Sequence, residues 1–242
     1  MPESFYAADE TRAQRVNDLF ATIAPRYDLI NDLQSFGLHR AWKRRLIQLA
    51  EVRPGAEALD VCCGTGDVAF ALANAGAKVT GCDFSEPMLQ VARERLLNRR
   101  NRREEILTFL QADALHLPLP PNTFDIVTIA YGLRNLADFR AGLTEMLRVL
   151  KPGGKLLILD FGKPDFAPWR ALYFAYLKLF VPLFGKIFCG NSATHAYILE
   201  SLKKYPAQRG IAALLTELGC REVRIENLLG GVMSINTAVK SI

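Results

Sequence analysis

Two acids and a glycine-rich turn carry the strongest chemical signal in this chain. Asp60 lies in the apolar run Ala58–Val61, and Cys62-Cys63-Gly64-Thr65-Gly66-Asp67 follows it before the amphipathic stretch Val68–Leu72. That order reads as a strand, a tight turn and a helix. Glycines let backbone approach a ligand closely, and the first N–H groups of a helix are unpaired, so the turn suits a nucleotide-like ligand. A second acid, Asp83, follows the apolar-small segment Ala77–Cys82. A carboxylate about 20 residues beyond such a turn is placed to accept from ribose hydroxyls.

The elements that must position these groups alternate. Strand Glu57–Val61 leads to helix Val68–Ala75 and strand Lys78–Gly81. Ser85-Glu86-Pro87 opens the next helix, with Ser85 as N-cap and Pro87 in the first turn. Strand Ile106–Gln111 follows, then a Pro-rich loop and the β-branched strand Phe124–Ile129. Leu143, Met146, Leu147 and Leu150 lie on one face of a helix over Ala141–Leu150, and Lys151-Pro152-Gly153-Gly154 stops it before strand Lys155–Asp160. Residues 9–50 and 194–218 read as largely helical, and Glu222–Glu226 and Val232–Lys240 as a closing strand pair. The pattern predicts a doubly wound α/β sheet covered by helices on both faces.

Composition bounds the rest. The chain has 242 residues, half of them apolar, which suits one domain with embellishments. Its net charge of +5 permits attraction to nucleic acid or an anionic membrane without requiring either. Five cysteines, an odd number with no C-x-x-C pair, argue against a local zinc motif and a disulfide framework, fit a reducing cytosol, and predict no metal. The first residues lack an apolar signal segment, and Lys178, Pro182 and Lys186 interrupt the longest lipid-like stretch, so no transmembrane helix is expected. Six arginines lie between Arg93 and Arg103, but no aromatic residue interleaves with them, as a single-strand stacking platform would need.

Several blocks together resemble class I S-adenosylmethionine-dependent methyltransferases: Asp60–Asp67, Gly81-Cys82-Asp83-Phe84, Asn122-Thr123-Phe124-Asp125 and Arg148–Gly154. Three more resemble the quinone-biosynthesis C-methyltransferases, which act on demethylmenaquinone and 2-methoxy-6-polyprenyl-benzoquinol. They are the run from Tyr27-Asp28 and Asn31 to Trp42-Lys43, the block Tyr131-Gly132-Leu133-Arg134-Asn135, and Leu159–Pro164. The resemblance implies a mostly parallel seven-stranded, Rossmann-like sheet in a single methyltransferase domain. Within it would lie an N-terminal helical cap (1–50), a cofactor-binding core (51–164), an inserted aromatic lid and helix (165–205) and a C-terminal helix and strand pair (206–242). It implies S-adenosyl-L-methionine as cofactor, contacted by Asp60, Gly64, Thr65, Gly66, Asp83, Phe84, Asp113, Ala114 and Ala130; the residues alone also allow Asp60 to fix the glycine-rich turn and Asp113 to be a turn aspartate. Cys62 and Cys63 stand where that family often has Ala or Gly, and Ala130 where some members have a contacting serine.

The implied reaction is C-methylation of a polyprenylated quinol, demethylmenaquinol to menaquinol first, with the ubiquinone-pathway benzoquinol as alternative. A ring carbon becomes nucleophilic when a neighbouring hydroxyl loses its proton, and a free phenol has a pKa of roughly 10. The site must therefore remove that proton or stabilise the phenolate. Arg134 suits stabilisation because it stays cationic and forks to oxygens. His39 and Asp28 are the candidate bases. Tyr27, Trp42 and Tyr131 either stack on the ring or fill the core, and Asn31 and Asn135 either orient its hydroxyls or cap turns.

Residues 166–188 hold eight aromatic residues with Arg170, Lys178 and Lys186 interspersed. They read as an interfacial lid for a prenyl tail, or as a core or dimer helix. The expected partners are the quinol, a peripheral membrane contact and a second copy in a homodimer, with no nucleic acid. The expected location is the cytoplasm, at the inner face of the membrane. A nucleic-acid methyltransferase and a non-catalytic cofactor-binding partner of a lipid-synthesis complex are the competing classes.

Overall fold

The computed structural model describes residues 31–33, 35–98, 106–188, 201–202 and 204–242. Its elements in sequence order are α1 (Leu38–Ala50), β1 (Glu57–Val61), α2 (Asp67–Asn74), β2 (Lys78–Asp83), α3 (Glu86–Leu97), β3 (Leu107–Gln111) and β4 (Phe124–Ala130). Then come α4 (Phe139–Val149), β5 (Leu150–Phe161), α5 (Ala167–Phe188), α6 (Ala207–Glu217), β6 (Arg221–Leu228) and β7 (Met233–Val239). The strands form one seven-stranded sheet in the order β3-β2-β1-β4-β5-β7-β6. All pairings from β3 to β5 are parallel, and β7 runs antiparallel to both β5 and β6.

Alternation along the strands builds two cores. Leu59, Val61, Val127, Ile129, Leu156 and Ile158 face one layer, where Leu143, Met146 and Leu147 of α4 and Ile211 and Leu215 of α6 cover them. Their sequence neighbours Ala58, Ile126, Leu157 and Leu159 face the opposite layer, covered by Leu46 and Ala50 of α1 and Val68, Ala69 and Leu72 of α2. Strands buried on both faces explain why these segments read as continuous apolar runs. Crossover after β1 puts β2 on one side of it and β4 on the other, so a crevice opens at the carboxyl ends of those strands.

The glycine pair after Lys151 behaves differently from the sequence expectation. Instead of ending before the strand, it lies inside β5, and the β4 register jumps from Phe124 opposite Leu150 to Ile126 opposite Lys155. Gly153 takes a positive φ of 77°, its N–H donates to the Lys240 carbonyl, and Lys240 returns a bond to Gly154. Pro152 and the glycines thus form a bulge held by pairing to a distant segment. Helix α5 runs unbroken through Pro182 and Gly185.

Candidate active site

The carboxyl ends of β1 and β2 hold the two signal acids. Asp83, the last residue of β2, accepts the Gly64 N–H on Oδ2 at 2.8 Å and the Ser85 N–H on Oδ1 at 2.9 Å. A carboxylate has about four lone-pair positions, so these backbone bonds leave capacity to accept from a ligand hydroxyl. Burial pushes the Asp83 pKa up, against the backbone N–H groups of Ser85, Gly64 and Phe84. Ser85 stands at the α3 N-cap as expected, but its hydroxyl makes no cap bond.

The turn needs its glycines. Gly66 has φ +88°, and a Cβ there would lie 3.0 Å from the rings of Phe109 and Phe70. A Cβ on Gly81 would lie 2.8 Å from Phe109. Cys62 adopts φ 54°, a left-handed conformation uncommon for a residue that bears a side chain. Burial holds the Cys62 and Cys63 thiols well above the usual range, so both serve as small apolar groups.

Asp60 is 1% exposed. The Thr128 hydroxyl donates to its Oδ1 at 2.8 Å, while Oδ2 has no hydrogen-bond partner among the described residues. Burial raises its pKa to about 7, against the Thr128 bond. A glycine cradle, a ribose-ready carboxylate and an orphaned acidic oxygen fit S-adenosylmethionine, whose methionine end bears an ammonium and a carboxylate. Around this centre Phe84 is exposed, Thr65 and Ala114 are buried, and Ala130 ends β4 half-buried. The Ala112 N–H donates to the Asp83 carbonyl at 3.0 Å and draws the next loop to β2. There Asp113 fixes its own turn, with Oδ1 accepting the Leu115 N–H at 2.9 Å.

Three charged residues that sequence reasoning left out of the site lock the turn from outside. Lys43 of α1 donates to Asp67 Oδ2 at 2.7 Å, and Arg95 of α3 donates to Asp67 Oδ1 at 2.6 Å and to the Thr65 carbonyl at 2.8 Å. Burial alone would raise the Asp67 pKa, but the two cations outweigh it and hold the carboxyl at about 2. The Arg95 guanidinium also lies 5.3 Å from the Phe70 ring centroid. Lys43 falls at the end of a family-like sequence block, but nothing local indicates its partner 24 residues away.

The carboxyl ends of β4 and β5 supply the other half. Tyr131 leaves β4 at φ 60°, and Leu133–Asn135 form a single 3₁₀ turn. Gly132 packs so tightly on the cofactor turn that a Cβ would lie 2.5 Å from Cys62 Cβ. Arg134 is 6% exposed and pairs with the wholly buried Asp160: Nη1 to Oδ1 at 3.0 Å, and backbone N–H to Oδ2 at 3.1 Å. Burial raises the Asp160 pKa, against the Arg134 charge. The guanidinium lies 4.6 Å from the Phe161 ring centroid, and the Tyr131 ring meets Phe161 edge-on at 6.3 Å. Asn135 donates to the Tyr131 carbonyl at 3.3 Å. Asp160 was not among the expected site residues, although it sits within the family-like run Leu159–Pro164.

His39 opens α1 and is 4% exposed. The Ser35 hydroxyl donates to the Asn31 carbonyl at 2.6 Å, so its oxygen accepts at His39 Nδ1, 2.9 Å away. That arrangement places the proton on Nδ1 and leaves the Nε2 lone pair available. Burial, and then the Lys43 charge, depress the His39 pKa. Lys43 follows one turn later on the same helix, with Nζ 6.0 Å from the Tyr131 ring centroid. Trp42 is half-buried and packs on the core face shared with Tyr131 and Phe161. Tyr27 and Asp28 lie outside the described residues.

The site thus joins a nucleotide-type cradle to an aromatic, charge-balanced surface across the Cys62–Gly132 contact. Comparison with known proteins places it. The model of the family described as the ubiE/COQ5 methyltransferase family matches residues 8–240. A demethylmenaquinone methyltransferase from Desulfitobacterium hafniense (strain Y51) is 40% identical over 227 residues, covering 93% of this chain and 89% of the relative. The ubiquinone/menaquinone biosynthesis C-methyltransferase UbiE of Ectopseudomonas mendocina (strain ymp) is 40% identical over 235 residues, covering 96% and 91%. Among solved structures, a SAM-dependent methyltransferase from Thermotoga maritima superposes with TM-score 0.63 at 19% identity, covering 93% of this chain and 99% of that one. The [4+2]-cyclase SpnF superposes with TM-score 0.60 at 20% identity, covering 95% and 97%. A cyclase on the same scaffold means that the fold alone does not decide the reaction. Sequence identity over nearly the full length does so at the level of family: the chain belongs to the ubiE/COQ5 methyltransferase family.

Proposed function

We propose that this protein transfers a methyl group from S-adenosylmethionine to a ring carbon of a polyprenylated quinol, converting demethylmenaquinol to menaquinol. The observation that carries the reading is the direct packing of the Tyr131–Asn135 block on the cofactor turn through Gly132 and Cys62. It sets the acceptor surface beside the end of the cradle that takes the methionine portion. The relatives' names support the same reading, and the UbiE relative's name supports the ubiquinone-pathway benzoquinol as a second acceptor.

S-adenosylmethionine supplies an activated methyl on a sulfonium, so the protein's task is to position, deprotonate and exclude water. Asp83 binds the ribose hydroxyls, Gly64, Thr65 and Gly66 the methionine end, and Asp60 the ammonium. Phe84, Asp113, Ala114 and Ala130 line the adenosine side. His39 Nε2 takes the quinol proton, being neutral at pH 7 with its lone pair available. Asp28 is the second base candidate. Arg134 stabilises the phenolate and Asp160 keeps it in place. Tyr27, Asn31, Trp42, Tyr131 and Asn135 contact the ring or its hydroxyls.

The prenyl tail runs along α5, which buries Tyr173 and Leu177 and exposes Leu172 and Leu179 beside Arg170 and Lys178, with the exposed Phe166 just before its first residue. Such a face suits peripheral contact with the cytoplasmic leaflet. No helix among the described residues is long and apolar enough to span a membrane. Trp169 serves α5 differently: its indole N–H donates to the Leu229 carbonyl at 3.1 Å, anchoring the helix.

The test is turnover of methyl-labelled S-adenosylmethionine with reduced demethylmenaquinol and, separately, the benzoquinol precursor. Label on a ring carbon supports the reading, and the ratio of rates orders the two acceptors. Cofactor binding with no label on either quinol overturns it.

A further inference from the structure

We infer that Tyr173, on α5, is a substrate-binding residue whose hydroxyl donates a hydrogen bond to an oxygen of the acceptor ring. The inference rests on the proposed quinol chemistry and goes beyond it by naming the group from α5 that reads the ring. Tyr173 is 5% exposed, and its hydroxyl has no hydrogen-bond partner among the described residues. Native structures pair nearly all buried polar groups, so an orphaned hydroxyl calls for a partner from outside the described residues.

Its position says which ligand. The ring packs with Leu177 and Leu202 and against Phe161, the same residue whose ring lies under the Arg134 guanidinium and meets Tyr131. Its phenol feels the charges of both Arg134 and Asp160. Tyr173, Arg134 and Tyr131 therefore converge on Phe161 from α5 and from the end of β4. Burial also raises the phenol's pKa, which keeps the hydroxyl protonated and makes it a donor rather than a base. A quinol ring presents two oxygens on opposite sides. One is the oxygen that loses its proton to activate the ring, and the other needs a neutral donor. Tyr173 meets that need.

The test is Tyr173→Phe in the full-length protein, which deletes the hydroxyl and keeps the ring. The assay is turnover of reduced demethylmenaquinol, with cofactor affinity and thermal midpoint measured alongside. The expected result is a roughly tenfold loss in kcat/KM for the quinol, most of it in KM. Cofactor Kd stays unchanged, and the thermal midpoint is equal to or above that of the wild type because a buried unsatisfied group is gone. Equal kcat/KM for variant and wild type, with the wild type active, overturns this assignment alone. So does a loss accompanied by weakened cofactor binding and a lower midpoint, because that pattern marks a packing role. A wild-type protein that methylates no quinol overturns the functional reading and this assignment with it.

Discussion

At the scale of single residues, burial sets the chemistry of Asp60 and His39 in opposite directions. Asp60 is raised to about 7 because its charged form loses water. Its carboxyl binds a proton more tightly folded than unfolded, so it favours folding below the ordinary carboxylate pKa and loses that contribution as pH rises through 7. Asp60→Asn removes the dependence. Relative to wild type, the variant is expected to gain stability at pH 8, up to roughly 4 kcal/mol, and nothing at pH 4. It should lose affinity for S-adenosylmethionine if Asp60 binds the ammonium as proposed. Thermal melts between pH 4 and 8 check this, and parallel pH curves for the two proteins would sink it. His39 is lowered instead, by burial and by Lys43, so its neutral form survives below the usual histidine range. As base it predicts kcat/KM for the quinol holding steady as pH drops through 6.5 and falling only further into acid. His39→Gln is expected to cut kcat about a hundredfold and flatten that acid limb, with cofactor affinity intact. An acid limb identical to the wild type's would exclude His39 as the base.

At the scale of elements, α1 matters because one of its residues reaches both halves of the site. Lys43 holds Asp67 on the cofactor turn while lying near Tyr131 on the acceptor side. Lys43→Met keeps the stem and removes the charge. It should weaken cofactor binding about tenfold and speed amide exchange along α1, while Arg95 still anchors the turn from α3. Unchanged exchange in α1 would mean that its apolar contacts suffice to seat it. This clamp also marks the limit of what the amino-acid order discloses before folding. The strand–turn–helix from Glu57 to Asn74 was legible because its periodicity, glycines and acid are all local. So was Asp83, which falls at the end of β2 one short step beyond an apolar segment. The Arg134–Asp160 pair, the Lys43–Asp67 pair and the β5 bulge were not, because each depends on a partner distant in sequence. Pro152-Gly153-Gly154 is a correct local signal for irregular backbone, and only pairing with Lys240 turns that irregularity into strand. Ser85 shows the reverse case: the position was readable, while its hydroxyl makes no cap bond and its backbone N–H goes to Asp83 instead.

At the scale of the whole molecule, α5 turns apolar groups outward next to cations. Replacing Phe166, Leu172 and Leu179 together by Ser should lower the fraction floating with anionic vesicles by tenfold or more, since a large apolar residue is worth about 1.5–3 kcal/mol when fully buried. Turnover of a short-tailed quinol in detergent should be spared. Flotation equal to the wild type would remove α5 from membrane contact. The sheet order has a consequence of another kind. Strand β6 is made before β7, yet among the described strands its one neighbour in the sheet is β7. Neither strand joins the sheet until β7 sets against β5, so β6 and β7 dock together as an antiparallel pair, and the Arg45–Glu226 ion pair that ties α1 to β6 forms with them. The ribosome thus delivers every residue of the cofactor cradle well before the strand that lets β6 dock and α1 be tied to it. A chain cut short before β7 would keep the whole cradle and lose the strand that joins β6 to the sheet, leaving β5 as an open edge.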